Sequence, residues 1–272
     1  MTARTAGSRS IARSPATKSA PAAFLGVPVE CHAAIGSTND EAFRRADEGA
    51  PEGLVVRALT QTEGRGRQGR AWWDTPGTSL LFSVLLRPSI PLTQCPLLAL
   101  ALACSVADAG TEATGAALSI KWPNDVLHGG RKLCGVLAES RVSGATLSTQ
   151  RPAVVIGAGV NVNQTADQFP PELRGTATSL RIAGGNALDP DEVLRAILGR
   201  LERYAALAAS GDGAGLWGEV AGRLPSPGSE VAVLSGGRRI QGVVEGITES
   251  GALRLRESGR AEVTVVSAGE LA

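Results

Sequence analysis

The segment Gln61-Thr62-Glu63-Gly64-Arg65-Gly66-Arg67-Gln68-Gly69-Arg70 interleaves three glycines with three arginines. Glycine reaches positive φ and brings a backbone close to a ligand. Arginine presents a planar, permanently charged fork matched to phosphate or carboxylate. The segment follows the apolar run from Gly53 to Thr60, which reads as a buried strand. It is therefore a loop leaving a strand, with the chemistry to close over an anion. Neither common nucleotide fingerprint fits it. No Gly-Lys-Ser/Thr ending is present, and the arginines stand where a dinucleotide fold needs small residues.

Four other segments accompany this loop. They are Gly36-Ser37-Thr38-Asn39, Lys121-Trp122-Pro123-Asn124-Asp125, Arg131-Lys132-Leu133-Cys134-Gly135-Val136-Leu137-Ala138-Glu139, and Gly157-Ala158-Gly159-Val160-Asn161-Val162-Asn163. In this order and spacing they resemble the biotin–protein ligases, and the resemblance covers roughly residues 30 to 272. It implies an enzyme that joins biotin to ATP, releases pyrophosphate, holds biotinyl-5′-AMP, and passes biotin to one lysine of a carrier domain. A lipoate–protein ligase-like enzyme is the nearest alternative, and a biotin-sensing regulator is an alternative of a different class.

The reaction brings a carboxylate onto the α-phosphorus of ATP, so the site must supply positive charge between two anions. The resemblance makes Lys121 and Arg67 the catalytic cations. Lys121 ends a strand just before Trp122-Pro123, where its stem packs and its charge projects. The resemblance puts Ser37, Thr38, Asn39, Gln61, Arg65, Gly66 and Gly135 at the biotin, with Arg67 and Lys121. A ureido ring offers two N–H donors and one carbonyl, so short polar side chains of both kinds suit it. Arg70, Asn124, Asp125 and Asn161 are implied on the nucleotide side. ATP and biotin are the implied substrates, with Mg2+ accompanying the nucleotide and no protein-held metal site. The implied partner is the biotin carboxyl carrier domain of acyl-CoA carboxylases, with no nucleic acid or membrane, and the enzyme a monomer or weak homodimer. Cys134 departs from the family pattern, in which alanine is common there.

These residues need a scaffold. Ser37 or Thr38 caps a helix running to about Glu48, with Asp40 and Glu41 in the first turn, where the helix dipole favours acids. Continuous apolar runs at 53–60 and 79–86 read as central strands covered on both faces. Residues 93–113 read as a buried helix, 118–122, 132–141 and 153–162 as strands, and 190–209 as an amphipathic helix. Beyond Pro225-Ser226-Pro227-Gly228, short alternating segments with glycine turns suggest a small barrel. The resemblance implies an α+β fold, a class II synthetase-like mixed sheet with flanking helices, and a C-terminal SH3-like β-barrel. The expected divisions are a disordered tail over 1–23, a catalytic domain over 24–224 and the barrel over 228–272. About thirty residues precede the ligase-like region, so the form without an N-terminal helix-turn-helix is expected.

Bulk composition narrows the classes. A net charge of +1 over 272 residues argues against a global field for nucleic acid, and 3% aromatics argues against a base-stacking surface. Cys31, Cys95, Cys104 and Cys134 form no CxxC pair, so reduced, mostly buried thiols in a cytoplasmic protein are expected. His32 and His128 are the only histidines and lie far apart, which leaves neither a Ser/Cys–His hydrolase nor a histidine metal site. The apolar run from Cys95 to Val106 is short and Asp108 ends it, so no membrane span is expected.

Overall fold

The computed structural model describes residues 23–141, 151–224, 227–260 and 262–271. The expected tail therefore lies outside the described residues except for residue 23, as does the Pro225-Ser226 part of the expected boundary.

Eight strands form one mixed sheet: β1 (Ala23–Phe24), β2 (Val27–His32), β3 (Val55–Ala58), β4 (Ser79–Leu86), β5 (Ser119–Lys121), β6 (Asp125–His128), β7 (Arg131–Arg141) and β8 (Ala153–Asn161). Their order is β1-β2-β3-β4-β8-β7-β6-β5. Only β2 and β3 run parallel, and every other neighbouring pair is antiparallel. All of β4 is buried, as its unbroken apolar sequence requires for a strand covered on both faces.

The pleat sorts the side chains. Leu80, Phe82, Val84 and Leu86 of β4 join Val154, Ile156, Ala158 and Val160 of β8 in the main core. The same core takes in α2 (Pro96–Thr114) and α4 (Pro190–Ser210). On the other face, Leu85 and Val155 pack with Ala42 and Phe43 of α1 (Thr38–Asp47). Alternation therefore puts Ser83, Gly157, Gly159 and Asn161 on the α1 face, opposite the main core.

The expected hydroxyl cap of α1 is not made. Ser37 stands at the N-cap position without a side-chain bond, and the first-turn N–H of Thr38 donates instead to Gln61 Oε1 at 2.6 Å. The loop that follows β3 thus caps the helix from outside. The buried helix runs over Pro96–Thr114, close to the expected 93–113, and so continues through Asp108. Asp108 does not end it, because that carboxylate pairs with Arg223. The helical stretch Leu92–Thr114 is long and apolar enough to cross a membrane, which corrects the expectation of a run too short to do so, and 72% of its apolar window is buried inside the protein.

Two helices and several strands, β1 and β2 among them, lack a clear signal in the sequence. In α5 (Gly213–Ala221), three glycines weaken helix propensity. Asp212 compensates by accepting from the Gly215 N–H, and Leu216 and Val220 bury their side chains. The short α3 (Leu180–Gly184) is capped by Ser179. Strand β2 contains Pro28, and β1 is two residues long.

The C-terminal segments form a five-stranded antiparallel sheet: β9 (Glu230–Ser235), β10 (Arg238–Ile247), β11 (Leu253–Glu257), β12 (Val263–Val266) and β13 (Glu270–Leu271). The order is β12-β11-β10-β9-β13. Strands β12 and β13 are its edges, so among the described residues the ladder does not close on itself.

Candidate active site

Gln61 leaves β3 in a bridge to Ile35, and the loop returns through Gly66 N–H to Arg70 O (2.7 Å) and Trp72 N–H to Gly64 O (2.9 Å). Between them lies a single 3-10 turn, Arg67–Gly69. Gln68 and Gly69 reverse the chain at φ 58 and 71. The closed loop delivers Trp72 onto the sheet.

The sheet beneath is prepared for it. Lys121 pairs with Asp125, Asp125 with Gly135, Gly135 with Gly159, and Gly159 with Leu81. Directly paired residues project to one face, so the two glycines open a trench between Asp125 and Leu81. Trp72 fills part of it. A Cβ on Gly159 would stand 2.4 Å from the indole, and one on Gly135 would stand 3.0 Å from it.

A cavity of about 520 Å³ opens over this trench. Ser37, Thr38, Asn39, Gln61, Arg65, Gly66, Arg67, Arg70, Lys121, Asn124, Asp125, Gly135 and Asn161 all border it. The fold therefore brings together every residue the sequence singles out, although not all are free for a ligand. Arg65 is held bidentate by Asp40, at 2.5 and 2.8 Å. That pair draws the Asp40 carboxyl below its ordinary range. Asn39 is 5% exposed and donates to Glu139 at 2.6 Å. Asn161 is buried, donates to Thr178 O at 3.0 Å and accepts from Gln164. Asn124 donates to Val136 O, which ties the Pro123 turn to β7.

The cations differ in how firmly they are bound. Arg70 donates to Glu270 of β13 at 2.6 Å. This hydrogen bond lowers the Glu270 carboxyl, and Lys121 and Lys132 add to the effect. Arg67 is bound less tightly, donating to Gly269 O at 3.3 Å. Burial pulls its guanidinium below the ordinary value, against the opposing pull of Asp125 and Glu270, and it keeps its charge at neutral pH. Cys134 is fully buried in the main core. Burial pushes its thiol up, so the residue acts as a small hydrophobe and not as a nucleophile.

Similarity to known proteins agrees with this geometry. Residues 33–161 match the biotin/lipoate A/B protein ligase family, and residues 228–270 match the biotin protein ligase C terminal domain. A biotin–[acetyl-CoA-carboxylase] ligase from Mycobacterium tuberculosis is 35% identical over 245 residues, 88% of this chain and 86% of that protein. The chain belongs to the biotin protein ligase family.

The bifunctional ligase/repressor BirA of Bacillus subtilis is 41% identical over 174 residues, but this is 64% of the present chain and 52% of the relative. The chain thus spans about half the length of the Bacillus relatives it matches. A solved biotin protein ligase from Aquifex aeolicus, in complex with biotin and ATP, superimposes with a TM-score of 0.72 at 29% identity. It covers 90% of this chain and 97% of that one.

Within this biotin-ligase fold, three cavity residues, Lys132, Trp72 and Glu270, escape a sequence reading. Lys132 holds its ammonium 2.7 Å from Asp125 and 5.7 Å from the Trp72 ring centre. The contact with Asp125 is an ion pair whose angle makes no hydrogen bond, since Asp125 Oδ1 has no hydrogen-bond partner among the described residues. Lys132 reaches the cavity through a β-bulge. Val126 pairs with Cys134 but Leu127 with Lys132, so Leu133 is an extra residue that inverts the alternation. Trp72 forms the cavity floor, and its buried indole N–H has no acceptor among the described residues. Glu270 completes the set, and Glu139 stands beside the set as the partner of Asn39. The signal for Lys132 lies in the Arg-Lys-Leu-Cys-Gly run itself, but a simple alternation assigns that lysine to the wrong face.

His32 also has neighbours the sequence does not suggest. Glu30, His32 and Glu41 come within 4.8 Å of one another. Arg45 pairs with both acids, which makes this an ion-pair cluster. All four cysteines are free, and Cys31 is the exposed one.

Proposed function

We propose that this chain is a biotin–[biotin carboxyl carrier protein] ligase. One observation carries the reading. A single cavity is bounded at one end by the Thr38–Gln61 polar cluster, is floored by Trp72 over Gly135 and Gly159, and gathers Lys121, Lys132 and Arg67 beside it. This is a slot for a flat polar ring whose chain ends in a carboxylate, with cations where that carboxylate meets a phosphate.

In the first step a biotin carboxylate oxygen bonds to the α-phosphorus of ATP, and the bond to pyrophosphate breaks. The charges of Lys132, Lys121 and Arg67 offset the repulsion between the anions, as cations held in place around developing charge do. In the second step a carrier lysine, as the free amine, bonds to the acyl carbon. AMP leaves and the amine proton passes to solvent. Trp72 and the arginine loop exclude water from the adenylate.

Among the described residues the cavity carboxylates are Asp125 and Glu270, and each already faces a cation. They do not fit a dedicated magnesium cage, so the ion accompanying ATP would be carried by the phosphates and water.

The division into a catalytic unit over 24–224 and a small SH3-like unit over 228–272 is part of this reading, supported by alternating C-terminal strands with glycine turns. The unpaired thiols suit a cytoplasmic enzyme, and the balanced charge suits a protein partner over nucleic acid or membrane.

The deciding experiment is biotin-dependent exchange of labelled pyrophosphate into ATP, followed by biotin transfer to a purified carrier domain. Exchange supported by biotin and not by lipoate is the expected result. Exchange driven by lipoate would make the chain a lipoate ligase, and binding of biotin without exchange would make it a sensor.

A further inference from the structure

Glu139 lies outside the arginine loop and outside the polar cluster that faces the cavity, yet it touches both. Arg65 approaches it at 3.4 Å and Asn39 donates to it at 2.6 Å. Behind Asn39 the network continues into the interior. Ser83 Oγ lies 2.6 Å from Asn39 Oδ1 and 2.7 Å from Thr38 Oγ1, and Thr38 lies 3.0 Å from Gln61 Oε1. Ser83 is fully buried, and Thr38 and Asn39 are 4% and 5% exposed. Water therefore does not rescue a misdirected hydrogen in this chain of contacts.

A carboxylate only accepts, so Asn39 must turn its NH2 to Glu139 and its carbonyl oxygen inward. Gly157 leaves room for this, because a Cβ there would stand 2.1 Å from Asn39 Oδ1. Ser83 has one hydrogen, and the inward carbonyl claims it. Thr38 must then give its single hydroxyl hydrogen to Ser83, which leaves Gln61 Oε1 to the Thr38 N–H. The carbonyl end of Gln61 is held by the Thr38 N–H, so its NH2 remains on the Gly64 side. One carboxylate thus sets the direction of the Asn39, Ser83 and Thr38 side-chain hydrogens.

We infer that Glu139 is a specificity-determining positioning residue, which fixes the donor and acceptor pattern of the Thr38–Gln61 cluster through Asn39 and Ser83, while its contact with Arg65 ties that pattern to the arginine loop. This rests on the ligase reading, in which a ring with two N–H donors and one carbonyl meets this cluster. The pattern matters because a ring of mixed donors and acceptors is rejected when buried polar groups face it with the wrong sign.

Glu139→Gln tests it, since the shape is kept and the amide can both donate and accept. Asn39 is then free to turn over and release the Ser83 hydrogen. We expect calorimetry without ATP to show biotin binding weakened about tenfold or more, with the KM for ATP changed less than about twofold. Adding Asn39→Asp restores an inward acceptor, to which the amide introduced by Glu139→Gln can donate. The double variant should recover biotin affinity to within about threefold of the unaltered protein. Unchanged biotin binding in Glu139→Gln overturns the inference. So does a loss shared equally by biotin and ATP with a lowered Tm, or a loss the double variant does not recover, since each assigns Glu139 a role in shape alone. Failure of the ligase reading looks different, because the unaltered protein would then bind no biotin.

Discussion

Trp72 packs so closely on Gly159 that a single added methyl on the glycine would stand 2.4 Å from the indole. The contact explains why a strand with a buried core face carries glycine on the other face. It also separates folding from binding. Gly159→Ala must push Trp72 off the floor, and overpacking of this kind costs about 1–3 kcal/mol. We expect the variant to fold with a lowered Tm and to bind biotin at least about tenfold more weakly, as read by calorimetry and a thermal melt. Wild-type affinity would show that Trp72 is not the floor of the ligand site.

Lys132→Gln removes a charge while keeping most of the stem. Pyrophosphate exchange should fall about a hundredfold, the scale seen when one preorganised donor is lost from a developing charge, with a smaller change in biotin affinity. Lys121→Ala should also slow exchange. Single-turnover adenylation of both variants ranks the two ammonium groups. If Lys121→Ala is harmless while Lys132→Gln is not, the catalytic lysine is the one beyond the bulge.

That outcome bears on how much of the site is legible in the sequence. Strands 79–86, 132–141 and 153–162 and the two long helices are readable because their apolar runs are long and bounded by glycine or proline. The arginine loop is readable because its composition serves no packing purpose. Lys132 is obscured because Leu133 is an extra residue in the ladder, and parity counted along the strand puts the lysine in the core. Trp72 reads as one of two adjacent apolar residues, and only the glycines on β7 and β8 reveal which ring is seated. Glu270 is invisible for another reason. It joins Arg70 across 200 positions of sequence, and nothing local in a two-residue strand announces that contact.

The Arg70–Glu270 pair is more than half exposed on the arginine side, so its worth to global stability is about 0–1 kcal/mol at most. Its effect should appear locally. Glu270→Gln is expected to leave Tm within about 2 °C and to speed amide exchange over 64–71. The folded-state pKa of Glu270 is lowered, chiefly by its hydrogen bond to Arg70. The ordering it provides is therefore complete above the ordinary carboxylate value and is lost as pH falls through the lowered one. Added salt should weaken it in the same direction. Exchange over 64–71 that responds to neither pH nor salt would show that the loop is ordered by its own backbone alone.

Arg67 supplies the last test, because it is the loop cation least committed to the protein. It donates to one carbonyl, that of Gly269, at 3.3 Å, and burial costs it solvation that the pull of Asp125 and Glu270 does not fully offset. A guanidinium in that state is ready for an anion. Biotinyl-AMP should give it charge-assisted bonds that offset the ordering of its neighbours, a cost of about 1–2 kcal/mol per residue. Arg67→Gly removes those bonds and adds conformational freedom to a loop already rich in glycine. We expect weaker adenylate binding and faster release, with exchange over 62–72 no longer slowed by biotinyl-AMP. Escaped adenylate acylates any nearby amine, so the variant should label bystander proteins with biotin while the unaltered enzyme labels the carrier. Retention of the adenylate by Arg67→Gly, with labelling still confined to the carrier, would remove this arginine from the lid and leave closure to Trp72 and the Arg70–Glu270 pair.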